Sequence, residues 1–431
     1  MAYKTIVLEA QREYPLRPAV LWDLLANTDD LDRETGMPTV AYGPVVVSAD
    51  GFFRQAAARY LGLLTVRWRE YPFDWVRGER YTFLRVFEAG FLDTFYGGAE
   101  LSAKGDGTAV RLFAELTPRT LFGWGVARVM GRRGLRDTLA YCERSIALLR
   151  SGADIRVAPP SQASPVNRAR LDQLVEALRA ASLPERLVQR FVRHVTGAPD
   201  REVLRMQPFG LADAWGAERA EILRLCIQAV RVGCLYHTWE VMCPNCRIPK
   251  ASASTVAGIP QQFHCDACGI DYAADLARSV ELRYSVHPSL RAAKDDVYCI
   301  GGPAYTPHVW VQQYLLPGTE RVVSAKLADE PFRARALRAN AICPLEPDAA
   351  GPPEVALTYR GDGWLQMQQR FRPGGVIIRL RNETAGVVVA VIEQEQWDPR
   401  AITAAQVLSL PEFRDVADLD ARSMAPSGNS G

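Results

Sequence analysis

Tyr81-Thr82-Phe83-Leu84-Arg85-Val86-Phe87 alternates two largely apolar series. Tyr81, Phe83, Arg85 and Phe87 fall on one face of a strand and Thr82, Leu84 and Val86 on the other, because successive strand side chains point to opposite sides. A strand apolar on both faces is covered on both, so one face is expected to border a cavity and the other a helix. Upstream, residues 5–10 read as a strand, followed by Tyr14-Pro15-Leu16 and a helix with the stripe Val20, Leu21, Leu24 and Leu25, opened by Pro18. Downstream, the turn Gly105-Asp106-Gly107 leads into an alternating strand through Val110, Leu112, Ala114 and Leu116. A helix over 124–149 closes the segment, with Leu135, Leu139, Cys142, Ile146 and Leu149 on one face, which should lie across the sheet.

The chain has 431 residues, 48% apolar and 23% charged, which excludes a disordered or fibrous protein and implies several domains. Lys+Arg number 51 against 49 Asp+Glu, a net charge of +2, and this near-neutrality argues against nucleic acid as a partner. The longest apolar run, 385–392, falls far short of the roughly 20 residues a bilayer span needs. Glu9, Arg12 and Glu13 interrupt the N-terminus where a secretory signal would be apolar, so the expected location is the cytoplasm.

Composition divides the chain. Residues 1–150 hold more than half of the aromatic side chains and form a first domain. Residues 151–165, SGADIRVAPPSQASP, have linker chemistry. From 166 to 240 the pattern is helical, with Leu171, Leu174, Val175 and Leu178 on one face, a break at Leu183-Pro184, and a second run through Leu187, Val188 and Phe191. Within it, residues 209–233 read as helix, turn and helix, with Gly216 at the turn and Gly233 as a cap, before a wing-like strand at 235–242. The second helix offers only Arg219, Arg224 and Arg231 as basic groups, beside Glu218 and Glu221, which favours a protein-packing module over a DNA-binding regulator.

Residues 241–275 carry the sharpest motif: Cys243-Pro244-Asn245-Cys246, eighteen residues, then Cys265-Asp266-Ala267-Cys268-Gly269. Two CxxC pairs at this spacing match a zinc ribbon, in which four thiolates close a tetrahedral shell around structural Zn²⁺ and leave no position for a substrate water. A redox dithiol is the alternative. His264 is expected outside the ligand shell, and Cys234 and His237 are expected to pack. From 276 to 410 the chain alternates between Gly/Pro turns. Strands are expected at 282–286, 309–316, 321–327, 355–359, 364–371, 375–380 and 386–393, read as a β-sandwich. Gly301-Gly302-Pro303-Ala304-Tyr305-Thr306-Pro307-His308-Val309 is a stiff loop entering one of them, with His308 either a recognition residue or structural.

The element order over 1–150 resembles the SRPBCC/START-like helix-grip fold, whose members include lipid-transfer domains and polyketide cyclases. That resemblance implies a cavity for a hydrophobic small molecule or lipid. Candidate lining residues are Trp22, Phe53, Trp68, Trp75, Phe83, Phe87 and Phe95, which could equally fill a core. No catalytic residue is assigned: Glu70, Asp74, Arg85, Glu88 and Asp93 show no paired spacing, and no histidine precedes His194. A polyketide-cyclase-like enzyme remains the alternative.

The whole order, with the GGPAYTPHV loop, Leu380-Arg381-Asn382-Glu383, Glu393-Gln394-Glu395-Gln396-Trp397 and Leu410-Pro411-Glu412-Phe413-Arg414-Asp415, resembles the N-terminal regulatory region of bacterial class III adenylate/guanylate cyclases. In that family a cyclase domain opening with an FTDLxGST-type motif follows. No such motif occurs in this sequence, where residues 411–431 form a tail. The resemblance therefore implies an α+β multidomain sensor that is not itself an enzyme and acts on a cyclase domain or partner protein.

Overall fold

The computed structural model describes residues 4–48, 51–60, 64–150 and 163–409. Most of the expected linker (151–162) and the whole tail (411–431), with all of the Leu410–Asp415 motif, lie outside them. The fold is mixed α+β, and contact density divides it into two units. The first comprises 1–147, 266–270 and 297–396; the second comprises 148–265, 271–296 and 397–431.

The first unit opens with β1 (Ile6–Tyr14), α1 (Pro18–Leu25), α2 (Thr28–Glu34), β2 (Val40–Ser48), β3 (Gly51–Tyr60), β4 (Leu64–Glu70), β5 (Asp74–Val76), β6 (Arg80–Phe87), β7 (Leu92–Lys104), β8 (Gly107–Pro118) and α3 (Leu121–Arg150). Pro18 sits in the first turn of α1, where its missing N–H costs nothing. Asn27 caps α2 by accepting the Asp30 N–H at 3.3 Å, and Asp29 and Asp30 face the positive end of its dipole. The α3 face carries Leu139, Cys142 and Ile146 into the core with Leu21 and Leu25, whereas Leu149 is exposed.

The second unit follows with α4 (Arg168–Arg179), α5 (Glu185–Gly197), α6 (Pro208–Trp215), α7 (Arg219–Val232), β9 (Leu235–Met242), β10 (Pro249–Ala253), β11 (Gln262–Cys265), β12 (Ile270–Ala273) and β13 (Val280–Val286). Gly216 ends α6 at φ +57° and Gly233 ends α7 at φ +88°, left-handed positions that favour glycine. Strand β13, expected within the C-terminal sandwich, pairs instead with β9, Leu282 opposite Trp239 and Tyr284 opposite His237, so its apolar side chains join the second unit's core. Arg291 is fully buried there, donating to Asp200 Oδ1 (2.7 and 3.0 Å) and to the Val195 and Ala198 carbonyls (both 2.7 Å).

The chain then returns to the first unit with β14 (Val309–Leu315), β15 (Glu320–Leu327), β16 (Phe332–Ala336), β17 (Ile342–Pro347), β18 (Glu354–Arg360), β19 (Gly363–Trp364), β20 (Gln369–Phe371), β21 (Gly374–Asn382) and β22 (Val388–Gln394), before α8 (Ala404–Leu408) of the second. Strands β16 and β17 occupy a stretch for which the alternation had implied none. One 13-stranded sheet runs β1-β8-β7-β6-β5-β14-β22-β16-β17-β20, with β2, β3 and β4 attached at β6. A four-stranded sheet, β15-β21-β18-β19, shares with it an apolar core of Val311, Leu315, Phe332, Phe371, Ile378 and Leu380. Beside that core, Glu393 is fully buried against Arg335 (2.9 Å), Arg333 (2.7 Å) and His308 (3.7 Å). Burial alone would raise its carboxyl, but Arg335 and its neighbours hold it down at about 2. His308 is thus a buried member of an ion cluster. A Cβ on Gly302 would lie 2.0 Å from Thr28 Oγ1, and one on Gly301 2.6 Å from Phe73, which is why two glycines precede Pro303.

Candidate functional site

A cavity of about 380 Å³ lies in the first unit between the sheet and α3. Tyr81, Phe83, Arg85 and Phe87 of β6 all line it, as strand alternation requires. Val126, Ala127, Met130, Gly131 and Leu135 close it from α3, and Leu31 and Asp32 of α2 contribute a third wall. Helix and cavity therefore lie on the same side of β6. The expectation of a helix on the opposite face gives way to half-buried Thr82, Leu84 and Val86, since α3 covers the chamber itself.

Of the aromatic candidates, Trp68, Phe83, Phe87 and Phe95 line the cavity. Phe83 and Phe95 meet edge to face at 4.9 Å, and Trp68 and Phe87 are tilted at 6.1 Å. Trp22, Phe53 and Trp75 do not line it. Trp22 packs edge-on against Tyr81 at 6.3 Å in the core, and Phe53 lies against Tyr71 at 5.7 Å with the Arg69 guanidinium over its ring. The Trp75 indole is turned to β14, where it donates to the Val309 carbonyl at 3.1 Å.

The polar end of the cavity is a buried cluster that sequence spacing does not reveal. Glu70 of β4 lies opposite Arg85 of β6 in the strand register, and their side chains are 3.5 Å apart. Asp32 approaches the same guanidinium at 3.7 Å from α2. Glu70 also accepts from the Trp68 indole N–H (2.9 Å) and the Tyr42 hydroxyl (3.3 Å). Burial pushes the Asp32 carboxyl up to about 7 against the pull of Arg85. Cys299, also in the lining, is pushed up to about 12 by burial, so its thiol stays protonated. The readable signal was Arg85 itself, the one charged residue in a strand face of Tyr81, Phe83 and Phe87; Asp32 gave none. Asp74 and Asp93 are used elsewhere, Asp74 accepting the Tyr314 N–H and Asp93 pairing with Arg119.

Cys243, Cys246, Cys265 and Cys268 come together, their sulfur atoms all within 4.8 Å of one another. Cys246 Sγ and Cys265 Sγ are 3.7 Å apart. Four sulfurs at about 2.3 Å from a tetrahedral zinc are about 3.8 Å from each other, so the donor set fits a closed Zn²⁺ shell. All nine cysteines are buried and none is in a disulfide. Gly269 follows the second pair at φ +66°. Asn245 between the first pair donates to the Tyr272 hydroxyl at 2.6 Å, tying one knuckle to β12. His264 is exposed and bonds Asp271 at 2.8 Å, outside the four-sulfur set. Cys234 and His237 are buried in packing positions. On α7, Arg219 pairs with Asp213 at 3.4 Å and stacks on Phe209, so that basic group is engaged within the helix pair. Among the described residues no helix is long and apolar enough to cross a membrane.

Residues 168–297 match a family described as a family of unknown function, DUF5939. The matched stretch contains α4 to β13 and all four clustered cysteines. No curated protein matches the chain. Among solved structures, the ZhuI aromatase/cyclase from Streptomyces sp. R1128 is 12% identical, covering 33% of this chain and 96% of its own, with a TM-score of 0.26. The Mll3558 protein from Rhizobium loti is 21% identical over 32% of this chain and 98% of its own, with a TM-score of 0.25. The di-domain aromatase/cyclase StfQ of the steffimycin biosynthetic pathway is 11% identical over 33% of this chain and 52% of its own, with a TM-score of 0.25.

Proposed function

We propose that this chain is a ligand-sensing module that is not itself an enzyme, holding a hydrophobic small molecule or lipid in the helix-grip part of its first unit and Zn²⁺ in a structural four-cysteine site. The observation that carries the reading is the cavity, whose walls of aromatic and aliphatic side chains from sheet and helices are interrupted by one ion cluster. Such a chamber is suited to retain an apolar guest. The four thiolates have no open position for a reacting water, so the zinc would brace the fold. The resemblance to the regulatory region of class III adenylate/guanylate cyclases supports a bacterial, cytoplasmic signalling role in which occupancy of the cavity sets the activity of a cyclase domain or partner protein. Native mass spectrometry of the purified chain tests the first step. A mass excess of one zinc plus a discrete organic molecule of a few hundred daltons is expected; zinc alone, with no shift in melting temperature under any lipid or aromatic compound added, overturns the sensor reading.

A second reading, a polyketide-cyclase-like enzyme in the same cavity, draws on Asp32, whose carboxyl is pushed up to about 7 beside Arg85 and so sits where a general acid or base operates. Turnover of an aromatic or polyketide substrate that is lost in Asp32→Asn would favour it.

A further inference from the structure

Helix α3 turns one long face to the sheet and the other to solvent, and the solvent face is apolar at its start. Leu121 is 72% exposed, Phe122 78% and Val129 66%, with Met130 half-exposed and Trp124 at the flank. Single exposed apolar residues are ordinary, but five within ten residues of one helix form a patch. The packing beneath fixes this face outward. A Cβ on Gly131 would lie 2.6 Å from Leu8 and 2.8 Å from Leu116, and one on Gly123 2.4 Å from the Phe91 carbonyl oxygen. The helix thus meets the rest of the unit through glycines and cannot roll its larger residues inward. The Thr120 hydroxyl accepts the Gly123 N–H at 2.9 Å and holds the first turn in place.

Charge follows along the same face. At 3.6 residues per turn, Leu121, Phe122, Val129, Arg132, Arg133 and Arg136 fall within about 120° of the circumference, the apolar group first and the arginines beyond it. Residues 121–137 hold Arg128, Arg132, Arg133 and Arg136 against Asp137 alone, four positive charges less one negative, a surplus of three. Asp137 is shared by Arg133 at 3.2 Å and Arg136 at 3.4 Å, and the Arg128 guanidinium lies over the Trp124 ring at 5.4 Å. This order selects the occupant. Two copies of the helix packed in parallel would set arginine on arginine, and packed antiparallel would set the arginines of each on Leu121 and Phe122 of the other. An acidic protein surface would match the arginines and leave Leu121 and Phe122 against charge. An anionic bilayer offers both partners in the same order, hydrocarbon at depth and phosphate above it, with tryptophan favoured at the boundary. We propose that the first half of α3 is a docking face for an anionic lipid bilayer, with Leu121, Phe122 and Val129 entering among the lipid tails while Arg128, Arg132, Arg133 and Arg136 engage headgroup phosphates. The face is the outer surface of the helix and is independent of what the cavity holds.

Sedimentation of the full chain with vesicles tests this, comparing phosphatidylcholine alone with phosphatidylcholine carrying about a third phosphatidylglycerol. Binding to the anionic vesicles is expected to be at least about tenfold tighter than to the neutral ones, and to weaken as salt rises from about 0.05 to about 0.5 M. Arg132→Gln and Arg136→Gln should each lower the affinity about fivefold. Leu121→Ser combined with Phe122→Ser should abolish the rise in surface pressure that the unaltered chain produces beneath a phosphatidylglycerol monolayer. All four side chains are exposed, so these variants should keep the parent's melting temperature. Absence of binding to either vesicle, equal binding to both, or binding unchanged in the double serine variant overturns the proposal. If vesicles are not bound and the chain instead forms a concentration-dependent dimer that the serine variant breaks, the face belongs to a second copy. A cavity ligand is read separately by native mass spectrometry, so failure here leaves the proposed function standing.

Discussion

Trp75 and Val309, 234 residues apart in sequence, are joined by an indole N–H to carbonyl hydrogen bond of 3.1 Å that fastens β5 to β14. Around it Val76 pairs with Val311 and Trp75 with Gln312, the Gln312 amide donates to the Phe73 carbonyl at 2.6 Å, and the Arg77 N–H reaches the Trp310 carbonyl at 2.8 Å. The seam between the N-terminal strands and the C-terminal strands is therefore a short ladder inside one sheet, braced by side-chain hydrogen bonds. Trp75→Phe keeps a ring but strands the buried carbonyl, and should cost about 1–3 kcal/mol; Trp75→Ala should cost about 3–5 kcal/mol. Urea unfolding followed by far-ultraviolet circular dichroism measures both. A loss below about 0.5 kcal/mol in the alanine variant would mean that the seam contributes little.

Zinc should be present at one atom per chain and should be released by thiol modification of Cys243, Cys246, Cys265 and Cys268. Cys265→Ser is expected to bind none, and to lower the melting temperature, because a hairpin as small as β11–β12 has little core of its own. Metal analysis with a colorimetric zinc indicator checks this, and a protein that stays metal-free but oxidises these cysteines to disulfides would point to the redox alternative.

Asp32 makes stability depend on pH with a definite sign. Its carboxyl is raised by burial from an ordinary 3.8 to about 7, so the folded chain holds this proton where the unfolded chain has lost it. The stabilisation is full below about 4 and is lost as pH rises through about 7, and the shift corresponds to about 4 kcal/mol at most. Asp32→Asn should therefore be more stable than the parent at pH 8, with the difference vanishing near pH 4. Urea midpoints at the two pH values decide it; an unchanged difference would place the titration elsewhere.

Arg291 in the second unit has 0% of its side chain exposed and is neutralised by Asp200. Burial works to raise the Asp200 carboxyl, but hydrogen bonds from Ser164, the Lys294 N–H and Arg291 hold it below the usual range. Asp200→Asn would leave the cation uncompensated and should cost about 3–5 kcal/mol, while Arg291→Met combined with Asp200→Asn should recover much of that loss. Thermal unfolding of the single and double variants tests the coupling.

Some of this was written in local sequence. The period-two pattern of Tyr81, Phe83, Arg85 and Phe87 follows from strand geometry alone, and Gly216 and Gly233 stand at left-handed turns because few other residues do so cheaply. The two CxxC pairs state their own partnership, since a metal needs ligands in sets. What was not legible depends on contacts between distant segments. Strand β5 is three residues long, too short for any periodicity, yet it carries the pairing to β14. Glu70 and Arg85 meet only through strand register, and Asp32 joins them from a helix. Whether an aromatic ring lines a chamber or fills a core is likewise set by what packs behind it, which separates Trp68 from Trp22 and Trp75.

The first unit is interrupted in sequence, since residues 148–265 fold elsewhere before the chain comes back to supply β14. During synthesis the edge of β5 must then wait, unpaired, while well over two hundred further residues leave the ribosome at roughly 5–20 per second, a delay of tens of seconds. An open strand edge held that long is an invitation to pair with a neighbouring nascent chain. High contact order at this seam makes it the step most in need of a chaperone and the place where slowed translation or raised temperature would first send the protein into aggregates.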